Sequence, residues 1–192
     1  MFLYGFTAIE INSFLWLILF AFWLLMSLNT KRTVRRQSSV ARSLYLLAVI
    51  AAFAILYYSA FSLGLLKFRL FNPTRTTEIS GILLTALGIG WAIWSRIILG
   101  TNWSGTITIK DSHELMTRGP YSITRHPIYT GFILGMIGGA VTSGELRGVL
   151  SVLLFFAALD YKSRMEEKLL METFPQYADY RLKVRKLIPF LY

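Results

Sequence analysis

Two polar segments of this 192-residue sequence hold the residue types best suited to binding a charged ligand. In the first segment, Arg125, His126 and Tyr129 place a cation, an imidazole and a phenol close together. Pro127 suits the first position of a helix, where its missing N–H costs no hydrogen bond. We therefore expect this group at a helix N-terminus, where the helix dipole and unpaired N–H groups favour anionic ligand groups.

The second segment carries Lys162 and Glu166, four residues apart in a stretch with helical character. Residues at this spacing share one face of a helix. Each segment also has an ordinary structural interpretation. Lys162 and Glu166 alone indicate a solvated ion pair worth about 0.3–0.5 kcal/mol, and Arg125-His126-Pro127 alone indicates a helix cap.

Several other chemistries lack the residues that they require. The chain has no cysteine, which excludes a disulfide scaffold, a thiolate nucleophile and a Cys-ligated zinc site. Its two histidines, His113 and His126, do not form an H-E-x-x-H motif, so no metal centre is expected. Neither a Walker A motif nor a G-x-G-x-x-G turn after a strand is present, and spacing suggests no Ser-His-Asp constellation. The sequence therefore argues against hydrolases and metalloenzymes.

The elements that must position these residues are hydrophobic. The chain is 55% hydrophobic and only 16% charged, with a mean hydropathy of +0.53, whereas soluble domains carry about 25% charged residues. Residues 11–28, 44–66 and 79–99 are long enough to cross a hydrocarbon core of about 30 Å. Residues 127–141 and 149–159 are shorter and predict a helical hairpin, with two buried re-entrant helices as the alternative. The predicted fold class is all-α integral membrane with about five transmembrane helices.

Most of the net charge of +10 reports topology. Residues 29–43, residues 100–126 and the tail from 162 hold five, three and seven of the 20 Lys and Arg residues. With five spans these segments share one side, and the positive-inside rule predicts that this side is cytoplasmic and that the N-terminus is outside. The connection between the second and third spans runs against this bias with Lys67, Arg69 and Arg75.

A few residues inside the predicted spans need their own interpretation. Arg96 lies about one turn from the end of the third run, so we expect it to snorkel towards the interface. Glycines within spans are expected to permit close helix packing, and the relevant ones are Gly88, Gly90, Gly138 and Gly139.

Taken together, the two polar segments resemble the signature of the isoprenylcysteine carboxyl methyltransferase family. The first is LMTRGPYSITRHPIYTG, at residues 115–131. The second comprises Glu166-Glu167, Phe174, Tyr177-x-x-Tyr180, Val184 and the closing Ile188-Pro189-Phe190. The likeness covers roughly residues 100–192, the expected catalytic region, whereas the three helices within residues 1–99 match only in being hydrophobic. The wider superfamily includes phospholipid N-methyltransferases and small-thiol methyltransferases.

The resemblance implies an integral membrane enzyme that uses S-adenosyl-L-methionine without a Rossmann domain and releases S-adenosyl-L-homocysteine. The implied cofactor-binding residues are His113, Glu114, Leu115, Met116, Tyr121, His126, Pro127, Ile128, Tyr129 and Glu166. The family's substrate-side arginine falls on Lys162, and Arg164 is offset from it by two residues. Arg125, which could orient the acceptor or the cofactor carboxylate, completes the expected catalytic set. A second departure is Phe174-Pro175, where Phe-Gly is usual.

The expected activity is carboxyl O-methylation of an isoprenylcysteine or a similar lipophilic acid. A carboxylate is already ionised at pH 7, so the site needs orientation and exclusion of water rather than a strong general base. N-methylation of a phospholipid amine or S-methylation of a small thiol is the alternative, supported by Lys162 at the arginine position. A non-enzymatic membrane scaffold is a third hypothesis. The expected partners are a lipophilic or prenylated substrate and membrane lipid, with no nucleic acid.

Overall fold

The computed structural model describes residues 2–3, 6–28, 33–36, 39–102, 108–110 and 115–192. The helices are α1 (Ala8–Ser27), α2 (Ser39–Tyr57), α3 (Arg75–Leu99), α4 (Pro127–Ser143), α5 (Leu146–Thr173) and α6 (Tyr177–Lys183). Two short antiparallel ribbons accompany them, β1 (Phe2–Leu3) with β2 (Phe6–Thr7) and β3 (Thr33–Arg36) with β4 (Thr108–Lys110). The prediction of a helical fold is confirmed.

Two helices, α1 and α3, are long and apolar enough to cross a membrane by length and composition. Helix α1 starts at a capping box, in which the Thr7 hydroxyl accepts from the Glu10 N–H and the Glu10 carboxylate accepts from the Thr7 N–H at 2.7 Å. Two further apolar helices are shorter. One is residues 42–57 of α2, and the other is α4. Five spans therefore remain a prediction.

Small residues bring α3 and α4 into close contact along most of their length. A Cβ on Gly88 would lie 2.5 Å from the Gly131 carbonyl oxygen, and one on Gly138 would lie 2.5 Å from the Gly81 carbonyl oxygen. Because real Cβ atoms never approach so closely, the backbones can meet only where side chains are absent or small. We call this contact the α3–α4 seam, formed by Gly81, Thr85, Gly88 and Ala92 against Gly131, Gly135, Gly138 and Thr142.

The predicted packing role of the glycines is confirmed for Gly88 and Gly138 and also for Gly139, which faces Leu56 and Tyr57 of α2. For Gly90 the prediction was wrong, because among the described residues no atom of another element lies within 4 Å of the position that its Cβ would take.

An aromatic and aliphatic core is formed by residues of all five long helices, α1 to α5. Trp16 of α1 is 4% exposed, packs edge-on against Phe53 with ring centroids 4.8 Å apart, and donates from Nε1 to the Tyr57 hydroxyl at 2.9 Å. Phe53 in turn packs edge-on against Phe155 of α5. The polar indole is therefore satisfied within an apolar core, as buried tryptophans require.

Helix boundaries differ from the hydrophobic runs in two places. The run 44–66 is not one helix: α2 ends at Tyr57, and 3₁₀ turns follow at Ser59–Phe61 and Gly64–Lys67. The guanidinium of Arg147 donates to the Ile55 and Tyr58 carbonyls at 3.4 and 3.3 Å, and so satisfies oxygens at that helix end. In contrast, α5 continues without a break from its apolar half into the polar segment that carries Lys162 and Glu166.

Arg96 does not snorkel to an exposed interface as expected. Its residue surface is 0% exposed, and its guanidinium donates to the Gly100 carbonyl at 2.6 Å and to the Met26 carbonyl at 2.9 Å. The side chain points towards the end of α3, but it reaches the terminal carbonyls of α3 and α1 instead of water. A cation at two helix C-termini is electrostatically favoured.

The segments predicted to share one side do lie at one end of the helices. Strand β3, in the first connection, pairs with β4, in the third. Thr124 forms a parallel bridge with Arg185 of the C-terminal tail. At the other end, α4 and α5 are joined through Gly144 and Glu145 and form the predicted hairpin.

Substitutions in the α3–α4 seam should destabilise the fold. Gly131→Ala and Gly138→Ala each place a Cβ within 3 Å of backbone atoms of α3, and such overpacking costs about 1–3 kcal/mol. We expect the thermal unfolding midpoint in detergent to fall by about 3–8 °C.

The matched control is Gly90→Ala, which is in α3 but has open space at its Cβ position. It should match or exceed the parent, because alanine favours helix by about 1 kcal/mol over glycine. Equal loss of stability in all three variants would contradict the close-packing explanation.

Candidate functional site

Backbone hydrogen bonds bring the two predicted segments together. The tail after α6 runs beside the residues that precede α4, so that the Arg125 N–H donates to the Arg185 carbonyl at 2.8 Å and the His126 N–H to the Lys186 carbonyl at 3.1 Å. The Thr130 hydroxyl donates to the Leu187 carbonyl at 2.6 Å. These bonds fix the start of α4 against the tail, while α5 packs alongside and supplies Glu166 and Glu167.

Arg125 and Glu167 form the centre of this assembly. Nε of Arg125 donates to Oε1 of Glu167 at 2.7 Å, and the two side chains are 8% and 10% exposed. The Arg125 guanidinium also donates to the carbonyls of Arg181, at 3.1 Å, and Val184. One side chain therefore joins the start of α4, helix α5 and the tail.

His126 lies between two carboxylates. Its Nε2 is 3.2 Å from Oε1 of Glu167, and its Nδ1 is 3.5 Å from Oε2 of Glu166. Only the imidazolium can donate from both ring nitrogens, so the contacts favour the charged form. Burial lowers the pKa of His126, but the two carboxylates outweigh burial and raise the pKa above its usual value.

The same contacts keep both glutamates ionised. For Glu167, burial raises the pKa, but His126 and Arg125 outweigh it and lower the pKa to about 2. For Glu166, burial also raises the pKa, and Lys162, His126 and Tyr129 together reverse that effect and lower it. Arg125 and His126 before α4 and Lys162 of α5 therefore face two carboxylates of α5, and the cluster has one surplus positive charge when His126 is charged.

Lys162 occupies a pocket of aromatic faces beside Glu166. Its Nζ is 3.7 Å from Oε1 of Glu166, which also accepts from the Tyr129 hydroxyl at 2.7 Å. The ammonium lies 5.2 Å from the ring centroid of Tyr45 and 5.1 Å from that of Tyr129, within the range of cation–π attraction. The Lys162 side chain is 12% exposed. The interpretation of Lys162 and Glu166 as an ordinary solvated pair was therefore wrong.

Arg164 lies apart from the charge cluster that is formed by Arg125, His126, Lys162, Glu166 and Glu167. Its side chain is 67% exposed, pairs with Asp160 at 2.7 Å and donates to the Tyr192 hydroxyl at 3.3 Å. Asp160 also pairs with Lys186 at 2.5 Å. The structure thus places Arg164 with residues that attach the tail to α5, and does not bring it to Glu166.

Three more of the predicted cofactor-binding residues, Tyr121, Pro127 and Ile128, lie at or just before the start of α4. Tyr121 is buried, donates to the Ser95 carbonyl at 3.4 Å and accepts at its own carbonyl from the Tyr180 hydroxyl at 2.5 Å. Pro127 and Ile128 are buried in the first turn of α4, and Leu115 and Met116 are half-buried. His113 and Glu114 lie outside the described residues.

Sequence reasoning missed two residues that contact the predicted site residues, Glu167 and Tyr45. Glu167 was part of the tail signature but was not assigned to the site, although two consecutive carboxylates on a helix next to basic residues were a usable signal. Tyr45 had no usable signal, because only the packing of α2 against α5 brings its ring to Lys162.

The family profile described as phospholipid methyltransferase matches residues 76–177, more than half of the chain. The chain therefore belongs to the phospholipid methyltransferase family. The fold is similar to that of a eukaryotic intramembrane Ras methyltransferase, ICMT (isoprenylcysteine carboxyl methyltransferase), with a TM-score of 0.55 and 24% identity, covering 78% of this chain and 53% of that one.

Two curated relatives give a finer comparison. Cobalt-zinc-cadmium resistance protein CzcN of Cupriavidus metallidurans is 36% identical over 118 residues, which cover 59% of this chain and 52% of that protein. Protein-S-isoprenylcysteine O-methyltransferase of Saccharomyces cerevisiae is 34% identical over 125 residues, covering 62% and 51%. The chain thus spans about half the length of the curated relatives it matches. The resemblance seen in the two polar segments is confirmed.

The free energy of unfolding should depend on pH through the titration of Glu167 and His126. A carboxylate whose folded pKa is lowered stabilises the fold above its unfolded pKa near 4.5, and this contribution is lost as pH falls towards the folded pKa of about 2. The raised pKa of His126 contributes stability below about pH 6.5, which is lost as pH rises through the folded value. Glu167→Gln should therefore cost up to about 3 kcal/mol between pH 4.5 and 6.5, and less at pH 3.

The measurement is the thermal midpoint in detergent against pH for the parent, Glu167→Gln and Asp179→Asn. Asp179 is an exposed carboxylate of α6, and it serves as the matched control. A gap between parent and Glu167→Gln that stays constant from pH 6 to pH 3 would contradict the ion-pair account.

Proposed function

We propose that the chain is a multi-pass membrane methyltransferase that uses S-adenosyl-L-methionine to methylate the carboxylate of an isoprenylcysteine or a similar lipophilic acid. The observation that carries this proposal is the buried charge cluster of Arg125, His126, Lys162, Glu166 and Glu167 at the start of α4. It occurs in a chain of the phospholipid methyltransferase family, with a 34% identical yeast relative named as an isoprenylcysteine O-methyltransferase.

With His126 charged, the cluster has one surplus positive charge, which favours an anionic acceptor. Arg125 and His126 share Glu167, and Lys162 and His126 share Glu166, so three cations face two carboxylates. A carboxylate group brought beside Lys162 would neutralise the remaining charge in a partly buried site, where Coulombic attraction is stronger than in water.

The residues present fit the proposed cofactor. S-adenosyl-L-methionine, when bound, supplies a methyl group made electrophilic by its sulfonium. Glu166 is 21% exposed and, although both of its oxygens have partners, each has a further lone pair able to accept from a ribose hydroxyl or an amino group. Tyr121 and Tyr129 supply buried aromatic walls for an adenosine. Leu115 and Met116, with His113 and Glu114, are proposed to add backbone contacts before the turn.

The chain's own residues would act by orientation and exclusion of water. Arg125 holds the tail across the start of α4, and the buried rings of Tyr45 and Tyr129 flank the ammonium of Lys162. A carboxylate acceptor needs no proton removed at neutral pH, which agrees with a cluster whose two glutamates are both committed to ion pairs. Alignment of the reacting groups would supply most of the rate gain.

The proposed topology has five spans, with the N-terminus outside and the cluster on the cytoplasmic side. It rests on the basic residues of the three segments that gather at the end where the cluster lies. A lipophilic acceptor would enter sideways from the bilayer, and the cofactor would enter from the cytosol.

A second candidate is N- or S-methylation of a lipid amine or small thiol. The observation that favours it is the position of Lys162, whose charge is already matched by Glu166 and by the rings of Tyr45 and Tyr129. A flexible ammonium lacks the planar fork with which arginine grips a carboxylate.

Turnover of S-adenosyl-L-methionine with a farnesylcysteine analogue tests the site. Glu166→Ala and Arg125→Ala should each lower kcat/KM by roughly a hundredfold, about 2.7 kcal/mol of lost transition-state stabilisation, because each removes a group that orients the bound ligands. The control is Asp179→Asn, which changes an exposed carboxylate of α6 and should retain parental activity. Full activity in both cluster variants would show that the site is assigned wrongly.

The chemistry of the product separates the two candidates. With a methyl-labelled cofactor, an ester formed by O-methylation should release its label as methanol under mild base. A label that remains on the product after base treatment would exclude the ester and support N- or S-methylation. Absence of S-adenosyl-L-homocysteine binding by calorimetry would support the scaffold hypothesis instead.

A further inference from the structure

A second concave site lies at the far end of the α4–α5 hairpin. It has a volume of about 230 Å³, and its lining is almost entirely apolar, with Leu70, Phe71, Ile137, Val149 and Leu153 among its residues. We call it the α4–α5 groove. It lies beside the last turns of α4, a helix about 25 Å long, whereas the charge cluster lies at the first turn. The groove is therefore distinct from the candidate methyltransferase site.

Main-chain hydrogen bonds hold the mouth of the groove. The Leu70 N–H donates to the Gly144 carbonyl at 2.9 Å, and the Leu146 N–H donates to the Phe68 carbonyl at 2.8 Å. Arg69 forms an antiparallel bridge with Glu145 between these bonds. Gly144 has φ of 63°, and a Cβ there would lie 2.7 Å from the Phe71 carbonyl oxygen. The connection between α2 and α3 is thus attached to the hairpin turn. Arg69 precedes Leu70 in the chain and lies opposite Glu145 in the bridge, and both of those residues line the groove.

Among the described residues, Glu145 is the only acidic residue that lines the groove, and its charge is already matched by Arg147. Glu145 is 8% exposed, pairs with Arg147 at 2.5 Å and accepts from the Ser62 hydroxyl at 3.2 Å. Arg69 is therefore not required as its counter-ion. Among the described residues, Lys67, Arg69 and Arg75 are exposed and form no ion pair. The N-termini of α3 and α5 add positive potential at the same end.

The surface around these cations is apolar. Leu63, Leu65 and Phe68 are 68%, 75% and 58% exposed, and they alternate with Lys67 and Arg69 in one short connection. Exposed apolar side chains interspersed with cations are typical of segments that lie in the headgroup region of a bilayer. This explains basic residues on the side where the positive-inside rule expects few.

We propose that the α4–α5 groove binds one acyl chain of an anionic glycerophospholipid, whose phosphate pairs with Arg69. The apolar lining matches the chain, and the unneutralised cation at the mouth matches the headgroup. A zwitterionic lipid fits less well, because its ammonium would face the same cations. The lipid would brace the connection between α2 and α3 against the hairpin without taking part in methyl transfer.

The test uses the full chain in detergent, titrated with phosphatidylglycerol or phosphatidylcholine, with bound lipid measured by native mass spectrometry. Phosphatidylglycerol should bind more tightly and raise the thermal midpoint by about 3 °C more than phosphatidylcholine. Arg69→Gln should weaken phosphatidylglycerol binding roughly tenfold, the effect of losing one charge-assisted hydrogen bond. Leu153→Trp should also weaken binding, because it fills the groove.

Two matched variants should bind phosphatidylglycerol as the parent does. Lys183→Gln removes an exposed cation from α6, at the other end of the helices, and Leu47→Trp enlarges a side chain of α2 that is 64% exposed and does not line the groove. Equal binding of both lipids to the parent, or equal loss in Lys183→Gln and Arg69→Gln, would overturn the proposal. Stabilisation by glycerol 1-phosphate equal to that by the whole lipid would also overturn it, because the acyl chain would then contribute nothing.

Discussion

The ion pair between Arg125 and Glu167 is the contact on which the arrangement of the cluster depends. Each partner alone would be a costly buried charge, and each has a second role. Arg125 also holds two carbonyls of the C-terminal region, and Glu167 also faces His126. Three separate parts of the chain, the start of α4, helix α5 and the tail, therefore meet at this ion pair. The second carboxylate, Glu166, extends the same network to Lys162 and Tyr129.

The α3–α4 seam supplies the rigid support for that network. Helix–helix association in a lipid environment gains little from the hydrophobic effect, so close backbone approach through small residues replaces it. The seam runs from Gly131, one turn inside α4, to Thr142 near its end. It therefore fixes α4 along most of its length, and with it the positions of His126 and Tyr129 at the first turn.

The two ends of the α4–α5 hairpin use charge differently. At the cluster end, cations and carboxylates are buried together and largely matched, an arrangement suited to holding polar ligands with defined geometry. At the far end, one buried pair, Glu145 with Arg147, joins the hairpin turn to the end of α2. The exposed cations there border an apolar groove, an arrangement suited to lipid.

Sequence alone determined the helical class and the two polar segments, because hydrophobic run length and short-range spacing are local properties. The pairing of the two segments came from their resemblance to a known family. The sequence also identified Gly88 and Gly138 as packing residues. The tertiary structure decided what depends on distant contacts. Arg96 is buried because the carbonyl ends of α1 and α3 converge on it. Lys162 is shielded by the ring of Tyr45, which belongs to a helix more than 100 residues earlier and is therefore a distant contact. Arg164 is only two residues from Glu166, but its side chain leaves α5 in a different direction and pairs with Asp160 instead.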